Sequence, residues 1–390
     1  MTGERPTDSP EKRPETPAER PQGRHSVYEA SEFLGAPAGE GIPASEVSLA
    51  GRLLNARTIG SLVFAVVLLF LFFRVVLDID FGATVELIRS ADPALLLAAL
   101  VVYYLTFPLR GGRWWYVLGK VGTHIRYWIA TEILFLSWFV NCLVPAKLGD
   151  LYRAYLLKGN YGGSASRTVG TIFVERIADI VIIFGLAVAA GFWSFRGRSR
   201  PELDFIFVAA FLLVALLILL LLVLRFAGHH IERILPGRVE GFYTRFREGT
   251  TAALTPRAVS VIGVITVFIW LAEGLRVFFV IKALDLPDVQ LGISAAIFVA
   301  LVAALLTAIP LTPAGVGFVE AGIVAALSLY GVSPESAVAI ALIDRAISVL
   351  TVIVLGGLDY VRSPLVRQAH RAGLGNPPTH QPIAGGTAGT

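Results

Sequence analysis

From Phe205 to Leu224 the chain contains no polar side chain. A run of about 20 apolar residues matches the hydrocarbon thickness of a bilayer. Apolar stretches at 59–77, 93–109, 168–193, 258–281 and 334–358 are also long enough to cross. Two more, at 127–144 and 293–309, run straight into helix breakers. These are Pro145-Ala-Lys147-Leu-Gly149-Asp150 and Pro310-Leu-Thr-Pro313-Ala-Gly315-Val-Gly317. Proline at membrane depth breaks a helix, and broken backbone survives there only against protein or a water-filled cavity. The expectation is an all-α polytopic membrane protein with an inverted repeat. It has about six full spans plus two re-entrant helical hairpins, making about eight transmembrane segments. Two ordinary spans joined by a tight turn are the alternative to each hairpin.

Composition points the same way. Of 390 residues, 55% are hydrophobic and 16% are charged, against about 25% charged in a typical soluble domain. A soluble enzyme is therefore not expected, and a single cysteine, Cys142, excludes an internally disulfide-bonded scaffold. The net charge of +4 does not point to nucleic acid once the cations are mapped. Arg52, Arg57, Arg110, Arg113, Lys120, Arg126, the arginines between 225 and 257, Arg362, Arg367 and Arg371 fall on one side if each hairpin returns to its own face. That side is cytoplasmic by the positive-inside rule, which places both termini in the cytoplasm of a cell-membrane protein. Residues 1–50 and 363–390 read as disordered tails around a membrane domain at 51–362. No Walker loop, Rossmann fingerprint or nucleophile elbow is present, and no histidines have ligand spacing, so no cofactor, metal or catalytic residue is expected.

The membrane part resembles itself. Aligning Arg176 in FVERIADIVIIFG with Arg345 in LIDRAISVLTVIVLG gives an offset of 169, which pairs Glu175 with Asp344. Pro145 then pairs with Pro313 at 168, and Leu109-Arg110 pairs with Leu275-Arg276 at 166. Repeat A covers about 53–195 and repeat B about 204–360. Three full crossings in each half invert the second copy, the architecture of many transporters.

An ionisable side chain inside a membrane span costs at least about 2.5 kcal/mol, so each suggests a role. Arg176 and Arg345, with Lys147 and Arg153, are the candidates to hold a phosphate between the halves, because guanidinium forks suit it. Asp150, Glu175, Asp179, Glu320 and Asp344 are the expected charge partners. Gly149, Gly315 and Gly317 at the hairpin tips let a headgroup approach the backbone at a helix start. Arg113 and Arg153 are read as exposed-loop residues, Glu273–Arg276 as a structural pair, and Trp114, Trp115 and Tyr116 as an interfacial aromatic belt. Ile231 to Phe246 suggests an amphipathic segment on the cytoplasmic surface.

At these motifs, LVPAKLGDLYRAYLL, FVERIADIVI, AIPLTPAGVGFVEAGI and LIDRAIS, the sequence resembles the transmembrane flippase-like domain of bacterial lysylphosphatidylglycerol synthases, over about residues 53–360. The resemblance implies an inner-membrane protein whose relatives move anionic or aminoacylated phospholipids, or polyprenyl-linked lipids, between leaflets. Pro145, Gly149, Asp150, Arg153, Glu175, Arg176, Pro313, Gly315, Gly317 and Glu320 match its motifs. Lys147 and Asp150 stand where relatives often carry Arg and Glu, and Ala314 where a second glycine is common. Synthase activity and tRNA binding are not expected to be inherited, because nothing after Tyr360 resembles the soluble synthase domain.

Three functions follow as alternatives. The first is a stand-alone lipid translocase whose partner is a membrane phospholipid or polyprenyl-linked lipid. The second is a membrane glycosyl- or phospho-transferase acting on polyprenyl phosphate, hinted at by the acidic pair Asp78 and Asp80. The third is a scaffold for a separate lipid-modifying enzyme.

Overall fold

The computed structural model describes residues 80–144, 147–194, 201–228, 232, 236–286, 291–308 and 312–373. The expected span at 59–77, the tail at 1–50, Asp78, Pro145 and Pro310 lie outside the described residues. All regular structure among those described is helical: α1 (Phe81–Ser90), α2 (Pro93–Lys120), α3 (Tyr127–Leu143), α4 (Leu148–Tyr161), α5 (Ala165–Ser194), α6 (Pro201–Phe226), α7 (Gly237–Ala252), α8 (Pro256–Ala283), α9 (Ile293–Ala308), α10 (Phe318–Ser328), α11 (Pro334–Arg345), α12 (Thr351–Arg362) and α13 (Pro364–Gly373). A single 3-10 turn, Pro313–Gly315, precedes α10, and a π turn, Ala346–Leu350, joins α11 to α12.

Among the described residues, three helices are long and apolar enough to cross a membrane: Pro93–Lys120, Pro256–Ala283 and the continuous Pro334–Arg362. All three start alike. Asp92, Thr255 and Ser333 are N-caps whose side chains accept from Ala94 N, Ala258 N and Ser336 N, and each is followed by proline at the first helical position. The cap satisfies an otherwise orphaned N–H, and proline supplies a helical φ where no donor is needed.

The long helices are inside-out relative to soluble ones. On α2, Leu97, Val101 and Leu105 are exposed at four-residue spacing, while Tyr103, Thr106, Arg110 and Arg113 are buried. On α8, Val264, Phe268 and Leu271 are exposed, while Thr266, Glu273 and Arg276 are buried. Such a helix suits an apolar solvent and a polar interior.

α2 and α8 form the central pair and run antiparallel, with Asp92 N donating to Ala283 O at 2.7 Å. Around them the contacts fall into two matching series. α2 packs on α3, α3 on α4 and α4 on α5, just as α8 packs on α9, α9 on α10 and α10 on α11. α3 crosses to α12 as α9 crosses to α5, and α1 meets α11 as α7 meets α5.

Three expectations change. α2 does not end at 109 but continues to Lys120, so Arg110 and Arg113 lie within a helix and not in a loop after it. Both are buried and ion-paired, which removes the reason to end the span at the first arginine. Trp114 is fully buried, with the Arg153 guanidinium 4.7 Å from its ring centroid, so it belongs to the core and not to an interfacial belt. Part of the expected C-terminal tail is ordered. Leu365, Val366 and Ala369 form a short apolar stripe on α13 that packs on α4. There Asn160 Nδ2 donates to Leu365 O at 3.0 Å, and the Tyr155 hydroxyl donates to Ala369 O at 2.9 Å.

α5 packs closely against α7, the counterpart of the expected amphipathic segment. A Cβ at Gly170 would collide with Phe246 O, and one at Gly249 with Arg167 O. Gly170→Ala and Gly249→Ala should each destabilise the detergent-purified protein by about 1–3 kcal/mol. Gly263→Ala, with open space at its Cβ position, should leave the melting temperature unchanged or slightly higher. Scanning fluorimetry of the three variants reads the difference.

Candidate functional site: a buried arginine–carboxylate network

The polar faces of α2, α4, α5, α8, α10 and α11 converge on charges that the sequence scatters over 235 positions, from Arg110 to Arg345. The largest set lies among α2, α4 and α5. Arg113 donates to Asp179 through Nη1 at 2.6 Å and Nη2 at 3.2 Å, to Glu175 Oε1 through Nε at 3.3 Å, and to Thr266 Oγ1 at 2.7 Å. The other oxygen of Glu175 lies 3.0 Å from Arg153 Nη1. Arg176 grips Asp150 with a fork, Nε to Oδ2 at 2.9 Å and Nη2 to Oδ1 at 2.8 Å, and its Nη1 lies 3.6 Å from Asp179 Oδ2. Such bidentate, charge-assisted bonds are about twice as strong as neutral ones.

A second set joins α2, α8 and α11. Arg110 Nη2 donates to Glu273 Oε1 at 2.7 Å, and Arg276 Nη2 lies 3.4 Å from Glu273 Oε2 and 3.0 Å from Asp344 Oδ1. The pair read from the sequence as structural, Glu273–Arg276, is the middle of a four-residue chain. Two indoles connect the sets. Trp138 on α3 lies between Arg110, 4.6 Å away, and Arg176, 5.5 Å away. Trp270 lies 5.2 Å from Arg110 and donates to Asp179 Oδ1 at 3.3 Å. Sequence reasoning read past both tryptophans, because an aromatic in an apolar helix signals packing before it signals contact with a cation.

The third set is one pair. Arg345 Nε donates to Glu320 Oε1 at 2.8 Å, and its Nη2 donates to Ala314 O. Glu320 Oε2 accepts from Gly317 N at 2.6 Å, which ties the carboxylate to the start of α10. Asp150 and Glu320 occupy the same position, the third residue of α4 and α10, each facing the arginine of the following long helix.

The matched arginines differ from the others in accessibility. The side chains of Arg176 and Arg345 are 25% and 13% exposed, whereas those of Arg113, Arg153 and Arg276 are 7% or less. Arg113 and Arg153 are therefore not loop residues; they form the buried floor beneath Arg176. Two nitrogens on each of Arg153 and Arg276 have no protein partner.

Each tip carries one non-glycine residue at positive φ, Lys147 in the first and Ala314, at φ 52°, in the second. Lys147 precedes α4 with φ 53°, whereas the equivalent position before α10 is Gly317 at φ 89°. Glycine is the ordinary occupant of such a left-handed position. Gly149 is required by packing, since a Cβ there would meet Ser137 O on α3, and its N–H donates to Asn141 Oδ1 at 2.8 Å. At Gly315 a Cβ would meet the Val319 side chain, while Gly317 faces open space. Asp80, half of the acidic pair singled out in the sequence, is the N-cap of α1 and accepts from Gly82 N at 2.7 Å.

The residues of this network fall within a stretch that is shared with known proteins. A family model described as the lysylphosphatidylglycerol synthase TM region matches residues 58–356. The chain belongs to this family. It is a multi-pass helical membrane protein, and its helices carry the apolar outer faces that such a domain needs. A UPF0104 membrane protein of Methanocaldococcus jannaschii is 32% identical over 222 residues, covering 57% of this chain and 93% of that protein. Another, from Methanothermobacter thermautotrophicus, is 27% identical over 303 residues, covering 72% and 89%. Glycosyltransferase AglD of Haloferax volcanii is 29% identical over 324 residues, covering 74% of this chain and 51% of AglD, so the chain spans about half of that relative. These relatives are archaeal, so the family extends beyond the bacterial synthases that the motifs resemble.

Removing one partner of a buried pair leaves an uncompensated charge, at a cost of about 3–5 kcal/mol. Among the described residues, Glu175→Gln strips Arg153 of its only carboxylate within 4 Å and takes one of two from Arg113. It should lower the unfolding midpoint markedly, whereas Arg167→Ala, which breaks the exposed pair with Glu248, should cost about 0–1 kcal/mol. Denaturation of both variants in one detergent, followed by tryptophan fluorescence, makes the comparison.

Proposed function

We propose that this family member binds the acidic headgroup of a membrane lipid between its two halves and carries it from one leaflet to the other. The observation that supports this most is the matched pair Arg176–Asp150 and Arg345–Glu320. In each, an accessible arginine on a long helix is held by a carboxylate at the start of a short helix. On this reading the two contact series are an inverted repeat, and α3–α4 and α9–α10 are re-entrant hairpins whose tips face opposite leaflets. A carboxylate-bound arginine is a charge held ready. A headgroup phosphate joins Asp150 or Glu320 at the guanidinium, so the cation is never left bare in a low-dielectric interior. Lys147 and Arg153 add positive potential on the first side, and Gly317, with its open face, lets a headgroup reach the backbone on the second.

The cargo is an anionic or aminoacylated phospholipid, or a polyprenyl-linked lipid. The similarity to a protein named glycosyltransferase AglD favours lipid-linked sugars within that range, and it also keeps a transferase acting on polyprenyl phosphate as the second reading. Proteoliposomes with labelled lipid in one leaflet separate the two. Wild type should exchange lipid faster than protein-free vesicles, and folded Arg176→Ala/Arg345→Ala should fall to background. Equal rates for both proteins would remove the mechanism. Sugar transfer to a polyprenyl phosphate that is lost in Asp80→Asn would support the enzyme instead.

A further inference from the structure

Summed over its contacts, the buried network closes at zero charge three times. Arg113, Arg153 and Arg176 are matched by Asp150, Glu175 and Asp179. Arg110 and Arg276 are matched by Glu273 and Asp344. Arg345 is matched by Glu320. Among the described residues of the tip, one cation is left over. Lys147 is largely buried at the tip beside Asp150, and no carboxylate among the described residues lies within ion-pair distance of it. It also holds a left-handed conformation, φ 53° and ψ 36°, so the chain keeps a lysine where glycine would be the easier fit.

We propose that Lys147 is a charge selector, which limits the bound headgroup to a single negative charge and makes this a site for lipid phosphodiesters and not for lipid diphosphates. The proposal rests on the headgroup site argued above and narrows its ligand. A phosphodiester bound beside Lys147 and Arg176 brings the tip to neutrality. A diphosphate carries at least one further negative charge, which no remaining cation among the described residues of the network matches, and unmatched charge is strongly disfavoured away from water. Arg176 can contribute without letting go of Asp150, because Nε and Nη2 make the fork while Nη1, 3.6 Å from Asp179, has no direct hydrogen bond. Glycerophospholipids and polyprenyl phosphate sugars both present a phosphodiester monoanion, so the chemistry is shared by two lipid sources.

The test is binding of three labelled lipids to the detergent-purified full chain: phosphatidylglycerol, a polyprenyl phosphate hexose and a polyprenyl diphosphate hexose. Wild type should bind at least one of the first two about tenfold more tightly than the third, and whichever phosphodiester binds better names the source. Lys147→Gln should weaken phosphodiester binding by about tenfold, and Lys147→Arg should restore it. Asp150→Asn, which adds one surplus positive charge, should move the preference toward the diphosphate, a change of sign that a purely structural lysine or aspartate would not produce. Equal affinity for phosphodiester and diphosphate, with both lost in Arg176→Ala, would overturn the selector and leave the headgroup site standing. Binding of none of the three in an Arg176-dependent manner would remove the site and the selector together.

Discussion

The structure depends on pairing charge away from water. Taking an ion out of water is costly, and attraction to a partner offsets that cost only when geometry is good and further hydrogen bonds are made. Arg113 meets this condition with four donor contacts, and Arg176 with a fork. Each such arginine also binds helices that are distant in sequence. Arg113 alone joins α2 to α5 and α8, and Arg276 joins α8 to α11. In an apolar solvent, where burying Leu and Val between helices gains little, such links and close backbone contacts carry much of the specificity. The glycines of α5 and α7 supply the second kind.

The same links place the accessible arginines. Arg176 rests on a layer already neutralised by Arg113, Arg153, Glu175 and Asp179, so the field at its guanidinium comes mainly from Asp150 and its immediate neighbours. Trp138 offers its ring to both Arg110 and Arg176, and Trp270 offers a second ring to Arg110. Among the described residues, Arg345 is held by one carboxylate and one backbone carbonyl. Two positions that match in sequence are therefore unequal in surroundings.

Much of this architecture was legible before any coordinates. Hydropathy located the long helices to within a few residues at most ends, because a bilayer-facing helix is marked by length and composition alone. The sequence expected Asp150 and Glu320 among the charge partners of the buried cations, but which arginine each one meets, Arg176 and Arg345, is visible only in the structure. What misled was the habit of ending a span at its first arginine. Arg110 and Arg113 continue α2 because their partners, Glu273, Glu175 and Asp179, come from other segments, and pairing across distant segments leaves no local signal. The same limit hid Trp114 beneath Arg153 and the small apolar stripe of α13 on α4.

The π turn between α11 and α12 introduces a phase slip into the last long helix. Its extra residue rotates everything beyond Leu350 by about 100° relative to an unbroken α-helix. Tyr103 and Tyr104 on α2 pin the widened turn, one hydroxyl donating to Ser348 O and the other bonded to Thr351 Oγ1, both at 2.9 Å. One rod thereby serves two clients. Asp344 faces Arg276 before the slip, and Gly356 lies against Phe139 of α3 after it. A deletion of one residue in this turn would set the two halves of the rod back in step, and only one of those two contacts could then be kept.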